Sequence, residues 1–367
     1  MKLLYLSSTS FSDCDVNLVN TLVKKHQVTY GVFITNTNSN YSQNELKLLL
    51  KNQVVFNPII TDFRRRDPRN ITTFYKLILL IKKEKFDLIY MNDYEDIYFM
   101  LLFSLIINRN KIIFGLHDVV SHSGWKSGGL LKTTKSWFLS KFKYFLTFSA
   151  EQSSVLKKRF PKTNVFNIPL TLKDFGDKNH PNPSNRIISF LFFGNIESYK
   201  GLDILLLAVK QLSEKYDNFR LVVAGRCADW DIIYKPLIDN NEKIIALIRF
   251  IKNDEIPLIF SEAHYLILPY KDVTQSGPLM IAYNYAVPVI ASNLDGFKEF
   301  VKEGESGFLF ESNNINALEQ VLEHAILRDE VEYKSLQKKL LLYTQQNFSV
   351  ETIALQYNNM FETVQQG

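Results

Sequence analysis

The chain has 367 residues, 46% hydrophobic and 22% charged. That balance excludes a disordered or fibrous protein, and the length suggests two domains, since single cores stop growing near about 250–300 residues. The net charge of +5 is uneven: residues 1–180 hold 26 Lys and Arg against 14 Asp and Glu, and residues 181–367 hold 17 against 24, so the first half is expected to meet an anionic partner such as a nucleic acid, an anionic lipid or a phosphorylated substrate.

The first apolar run, after Lys2, is brief and ends in hydroxyls and acids, which reads as a strand rather than a signal peptide. Further strands are predicted at 28–35, 54–60, 88–91, 112–116, 144–149 and 165–168. Helices are predicted at 16–25, 71–84 and 152–160. The longest apolar run, 97–107, is well short of the roughly 18–20 residues that cross a bilayer, so it is expected to be a buried helix. Asp13-Cys14-Asp15 spells a D-x-D, but it stands before the helix at 16–25 and is expected to cap it. Asp93, Glu95 and Asp96 are expected to do the same for the next one. Cys14 and Cys227 are too far apart for a disulfide framework or a zinc spacing, which fits a reducing cytosol.

The stretch "KDFGDKNHPNPSNR" at 173–186 is polar, holds Pro181 and Pro183, and lacks periodicity, so it reads as a linker. After it the alternation resumes, with strands at 187–193, 220–224, 265–268 and 288–291 and helices at 202–216, 254–262 and 279–285. Repeated β-α alternation argues for parallel sheets with helices on both faces. Two such domains facing each other would form a cleft beyond their strand C-termini, the usual place for a ligand.

Two stretches of the second half combine a buried strand, a polar loop and a helix mouth. In "FLFFGNIESYKGLDILLLAV" the strand ends at Gly194, and Lys200-Gly201 opens a helix. A lysine and free backbone N–H groups there form an anion site, although the spacing matches neither a P-loop nor a dinucleotide fingerprint. In "DVTQSGPLMIAYNYAVPVIASN", Thr274 or Ser276 can cap the helix, Pro278 suits its first turn, and Gly277 lets a ligand approach the backbone. A pyrophosphate between the two mouths is the expected ligand. His117 follows the strand at 112–116 and is the best single candidate for a catalytic side chain, with His122 the weaker one.

Residues 187–310 resemble the nucleotide-sugar-binding domain of the family 4 glycosyltransferases. The blocks that carry the resemblance are "FGNIESYKGLDILLLAV", "LVVAGR", "IRFIKNDEIPLIFSEAHYLILPY" and "TQSGPLMIAYNYAVPVIASNLDGFKEFVKEGESGFLF". The N-terminal half matches in layout and in "FGLHDVVSHSG". The resemblance implies an α/β chain of GT-B architecture: two doubly wound Rossmann-like domains facing across a cleft. Residues 1–172 would bind the acceptor, 173–186 link, 187–347 bind the nucleotide sugar, and 348–367 form a helix crossing back to the first domain.

The resemblance also implies roles. Lys200 matches the lysine on the donor's diphosphate. Gly194 ends the strand, and Asn195 stands where the family usually has an arginine. Arg226 would reach the nucleotide, and the backbone at Phe250-Ile251 would hold the base. The family's acidic pair falls on Val273 and Ile281, so Thr274, Gln275, Ser276 and Gly277 would replace the first acid with hydroxyls, an amide and backbone donors. His117 would face the donor sugar.

The implied activity is retaining transfer of a sugar from a nucleotide-diphosphate sugar to a glycan or polyprenyl-phosphate-linked acceptor in bacterial-type polysaccharide synthesis, with no metal or other cofactor. Arg64-Arg65-Arg66 and the basic half would meet an acceptor or an anionic membrane surface, with the protein cytoplasmic and peripheral at the inner face. The alternatives are a non-catalytic partner subunit, motivated by the missing carboxylates, and a nucleotide-sugar epimerase. Nucleic acid is not expected, because no aromatic-basic RNA motif or helix-turn-helix signature is present.

Overall fold

The computed structural model describes residues 1–35, 40–61, 63, 67–92, 96–117, 119, 129–176 and 187–367. Arg64, Arg65, Arg66, Asp93, Glu95 and His122 lie outside them, as does 177–186 of the expected linker. The chain forms two units, one of Met1–Thr171 with Phe348–Gly367 and one of Leu172–Asn347.

In the first unit the strands are β1 (Lys2–Ser8), β2 (Gln27–Thr35), β3 (Val55–Thr61), β4 (Leu88–Asn92), β5 (Ile112–Leu116), β6 (Tyr144–Thr147) and β7 (Asn164–Asn167). The helices between them are α1 (Ser12–Leu22), α2 (Gln43–Leu49), α3 (Ile71–Glu84), α4 (Ile97–Ile106), α5 (Gly129–Leu139) and α6 (Ala150–Arg159). Pairing is parallel throughout, in the order β3-β2-β1-β4-β5-β6-β7. Leu3, Leu4, Tyr5 and Leu6 of β1 are buried on both faces, as a central parallel strand requires. Phe74, Phe99, Phe103, Phe114 and Phe138 of α3, α4, β5 and α5 join one core beneath the helices.

The second unit holds β8 (Ile188–Phe193), α7 (Leu202–Ser213), β9 (Phe219–Ala224), α8 (Lys235–Ile238), β10 (Ile244–Leu247), α9 (Ile256–Ser261), β11 (Tyr265–Leu268), α10 (Gly277–Asn284), β12 (Val289–Ser292), α11 (Asp295–Lys298), β13 (Gly307–Phe310), α12 (Ile315–Leu327) and α13 (Glu330–Phe348). Its parallel sheet runs β10-β9-β8-β11-β12-β13. The last helix, α14 (Val350–Gln366), belongs to the first unit. It packs on α1, and Asn358 Oδ1 lies 2.7 Å from His26 Nε2. Each sheet has a point where strand order reverses, β1/β4 in the first and β8/β11 in the second, and such switch points open the crevices in which α/β sheets bind ligands.

The predicted strands all form, with ends moved by a residue or two. Two were not foreseen. β10 is four residues long with Ile245 and Ala246 exposed at the sheet's edge, and β13 is equally short.

The capping reading of Asp13-Cys14-Asp15 fails for Asp15. Phe11 takes the N-cap position of α1 and makes no side-chain cap. Asp15, one turn in, is 3% exposed and bonds inward instead. Asp96 does cap α4, accepting from the Tyr98 and Phe99 N–H groups.

Candidate functional site

The switch point of the second sheet gathers the predicted donor residues. β8 is a run of apolar residues that ends at Gly194, where φ is +107°, a conformation side chains with a Cβ rarely adopt. A short turn over Ser198–Lys200 follows, and Gly201, at φ +66°, starts α7. A Cβ on Gly201 would collide with the Pro269 carbonyl at the end of β11. This glycine therefore lets the loop after β8 close against the one after β11.

Lys200 comes out of that turn buried, 8% exposed. Its Nζ lies 3.3 Å from the point a Cβ on Gly194 would occupy, and Pro278 of α10 lies 3.6 Å from the same point. The Tyr270 ring centroid is 5.7 Å from Nζ. Among the described residues no carboxylate forms an ion pair with it. Burial holds the ammonium down to about 8, and the attraction of Glu197 offsets this only in part. A buried ammonium that Glu197 offsets only in part would gain from an anion beside it.

The second helix mouth is built as predicted. Ser276 is the N-cap of α10, accepting from the Leu279 N–H at 3.4 Å, and Pro278 stands in the first turn. Thr274 and Ser276 are buried. A Cβ on Gly277 would lie 3.1 Å from Lys173 Nζ. Beside the β8 loop, Arg226 follows β9. Its Nε donates to Asn195 Oδ1 at 3.4 Å, and its guanidinium lies 5.1 Å from the Phe250 ring centroid. Ile251 is buried beyond it. Gly194 and Lys200 thus lie beside Pro278 at the mouth of α10, and Asn195 next to Gly194 holds Arg226. Val273 and Ile281, at the positions of the family's acidic pair, are buried apolar side chains.

Sequence reasoning missed Tyr270 and Lys173. Tyr270 ends the quoted "LILPY", but nothing in the run says that its ring will lie under Lys200. Lys173 was assigned to a linker, and only the fold brings its Nζ to the mouth of α10.

In the first unit, His117 directly follows β5. Its imidazole is 5% exposed and stacks between Phe11, at 3.8 Å, and Phe148, at 4.2 Å. Nε2 lies 2.9 Å from Asn92 Oδ1. Both ring faces are thus covered by aromatic rings. Among the described residues no group of three His, Cys, Asp or Glu side chains could hold a metal ion.

Residues 188–327 match the family model described as glycosyl transferases group 1. The second unit is a group 1 glycosyltransferase domain. The matched residues are those whose motifs resemble the family 4 nucleotide-sugar-binding domain. Over the whole chain the fold is that of the GT-B glycosyltransferases. Sucrose-phosphate synthase from Thermosynechococcus elongatus superposes with a TM-score of 0.76, at 15% identity, over 99% of both chains. Anabaena HepE, solved in complex with UDP, superposes with 0.72, also at 15%, over 99% of this chain and all of that one. Among curated sequences, an uncharacterized glycosyltransferase of Haemophilus influenzae is 24% identical over 57% of this chain and 58% of its own length. A GDP-mannose:glycolipid 4-beta-D-mannosyltransferase of Xanthomonas campestris is 21% identical over 58% of each. The chain therefore spans less than two thirds of either relative.

Within this glycosyltransferase domain the matched region begins with β8 and ends with α12. It contains both helix mouths, Lys200 and Tyr270.

Proposed function

We propose that the chain is a retaining glycosyltransferase that moves a sugar from a nucleotide-diphosphate sugar to a glycan or polyprenyl-phosphate-linked acceptor in bacterial-type polysaccharide synthesis. The observation that carries this reading is the buried Lys200 ammonium, without a carboxylate ion pair among the described residues, at the switch point where β8 and β11 diverge. The diphosphate would lie against Lys200 and the first N–H groups of α10. As the bond from the sugar to the diphosphate breaks, negative charge grows on the departing phosphate. A fixed cation and oriented backbone dipoles stabilise it without reorganising, and the remaining catalysis is positioning of the acceptor. Arg226 and the backbone near Ile251 would hold the nucleoside. Thr274 and Gln275 would contribute polar donors where the family has a carboxylate. His117 would face the sugar. The reading needs no metal or other cofactor.

The acceptor side rests on the basic first half. There α3 exposes Tyr75 and Leu79 beside Lys76, Lys82 and Lys83, and the neighbouring α4 exposes Leu101 and Leu105. Apolar side chains among lysines suit an anionic surface. Arg64, Arg65 and Arg66 would add to it. The protein would then work in the cytoplasm, peripherally at the inner face of the membrane. No described helix is long and apolar enough to cross a membrane.

A second reading, a partner subunit without chemistry, is favoured by Val273, Ile281 and Asn195, which remove two carboxylates and an arginine. Calorimetric titration of UDP, GDP, ADP and TDP separates the two. Micromolar to millimolar binding of one nucleotide supports the transferase. No binding of any supports the partner subunit. Consumption of a labelled nucleotide sugar that needs an acceptor then excludes an epimerase.

A further inference from the structure

At the switch point of the first sheet, the carboxyl ends of β1, β4 and β5 hold a buried polar chain. Asp15 accepts the Tyr5 hydroxyl on Oδ1 at 2.6 Å and the Ser7 hydroxyl on Oδ2. The Asn92 amide donates from Nδ2 to both carboxylate oxygens at 3.3 Å. On its other side, Asn92 Oδ1 meets His117 Nε2 at 2.9 Å. Asp15, Asn92 and His117 are 3%, 2% and 5% exposed.

We propose that Asp15 and Asn92 are positioning residues for His117: the carboxylate fixes which way the amide points, and the amide oxygen keeps the imidazole proton on Nε2. The argument is one of donors and acceptors. A carboxylate only accepts, so Asn92 must present its NH₂ to Asp15. Its oxygen is thereby turned to His117, and an acceptor at 2.9 Å requires a proton on Nε2. Reversing the amide would set two acceptors against each other in a dry interior, which costs more than a single hydrogen bond. Burial pushes Asp15 up to about 6, with the Ser7, Tyr5 and Asn92 hydrogen bonds pulling it down, so at pH 7.5 it is the required carboxylate.

Space is reserved for the arrangement. Position 115 is glycine, and a Cβ there would run into the Tyr90 hydroxyl and come within 3.1 Å of Asn92 Oδ1. Phe11 and Phe148 clamp the imidazole faces, so the ring cannot turn to escape the Asn92 oxygen. With its proton on Nε2 and both faces clamped, the ring is held in one orientation after β5, where it would meet a sugar. That meeting rests on the glycosyltransferase reading. The tautomer does not.

The test is nitrogen NMR of the full chain labelled with ¹⁵N-histidine at pH 7.5, with the His117 signals assigned by their loss in His117→Gln. A single Nε2–H tautomer is expected in the wild type, and mixed tautomers in Asp15→Asn, whose neutral amide no longer dictates the orientation of Asn92. Asn92→Leu is the second variant should Asp15→Asn fail to fold, and it too should release the tautomer. An Nδ1–H or mixed wild type, or unchanged shifts in a folded variant, overturns the proposal. Turnover is the second readout. A folded Asp15→Asn should lose about tenfold or more in kcat, the scale of one hydrogen bond, with KM nearly unchanged. Full kcat in that variant overturns the positioning role while the transferase reading stands. A wild type that consumes no nucleotide sugar overturns the transferase reading, and the tautomer signals still decide the orientation.

Discussion

Lys200→Met removes the charge at the proposed donor site and keeps most of the apolar stem, and it should move stability and binding in opposite directions. At about 1.4 kcal/mol per pH unit, the drop from an ordinary 10.5 to about 8 means that burial costs the ammonium about 3 kcal/mol at neutral pH. The Tyr270 ring, 5.7 Å from Nζ, returns about 1 kcal/mol of cation–π attraction. The unliganded variant should therefore be about 2 kcal/mol more stable, which in a unit of this size raises the melting temperature by roughly 4–8 °C. Nucleoside diphosphate binding should weaken by about 10–100-fold, the scale of one charged hydrogen bond. Scanning calorimetry reads the first effect and titration calorimetry the second. The pH dependence follows with a definite sign. The free site loses its proton near pH 8 and the unfolded lysine near 10.5, so wild-type stability should rise with pH between these values. Diphosphate affinity should instead fall as pH climbs through about 8, because the bound anion needs the ammonium. In Lys200→Met both slopes should vanish. A variant that binds the diphosphate as tightly as the wild type refutes the anion site, and one that melts lower refutes the account of the buried charge.

Three further outcomes are expected. Gly277→Val should leave the melting temperature nearly unchanged, because among the described residues the only neighbour a Cβ meets is the flexible end of Lys173, and should weaken nucleotide-sugar binding at least tenfold through the added bulk; unaltered affinity would remove Gly277 from the site. His264 is buried and accepts the Ser189 N–H on Nδ1 at 3.0 Å. Burial, with Arg220 nearby, lowers it to about 4. The unfolded chain thus takes up this proton first, so about 2 kcal/mol of stability should be lost between pH 6.5 and 5, and a denaturant midpoint that stays level over that range would contradict it. In vesicle flotation the protein should float with anionic lipid and stay behind with neutral lipid, and equal recovery would dispose of the membrane surface.

Local chemistry made much of this molecule legible in its sequence. Apolar runs of four to seven residues between helical periods can be satisfied only by buried parallel strands, so the alternation was readable, as was the Ser276–Gly277–Pro278 helix start, whose capping depends on neighbours in the chain. The edge strand β10 escaped because an exposed strand carries no buried pattern. What no local pattern holds is which strands lie side by side. Asp15 looks like a cap when only its own helix is considered. Once β1 and β4 become neighbours, Tyr5, Ser7 and Asn92 surround its carboxylate, and those longer-range hydrogen bonds outcompete the helix end. The same is true of Lys200. Its position at a helix mouth was visible, but its burial against Gly194, Pro278 and Tyr270 exists only after β8 and β11 pair. It is that burial, more than the lysine itself, on which the proposed anion site rests.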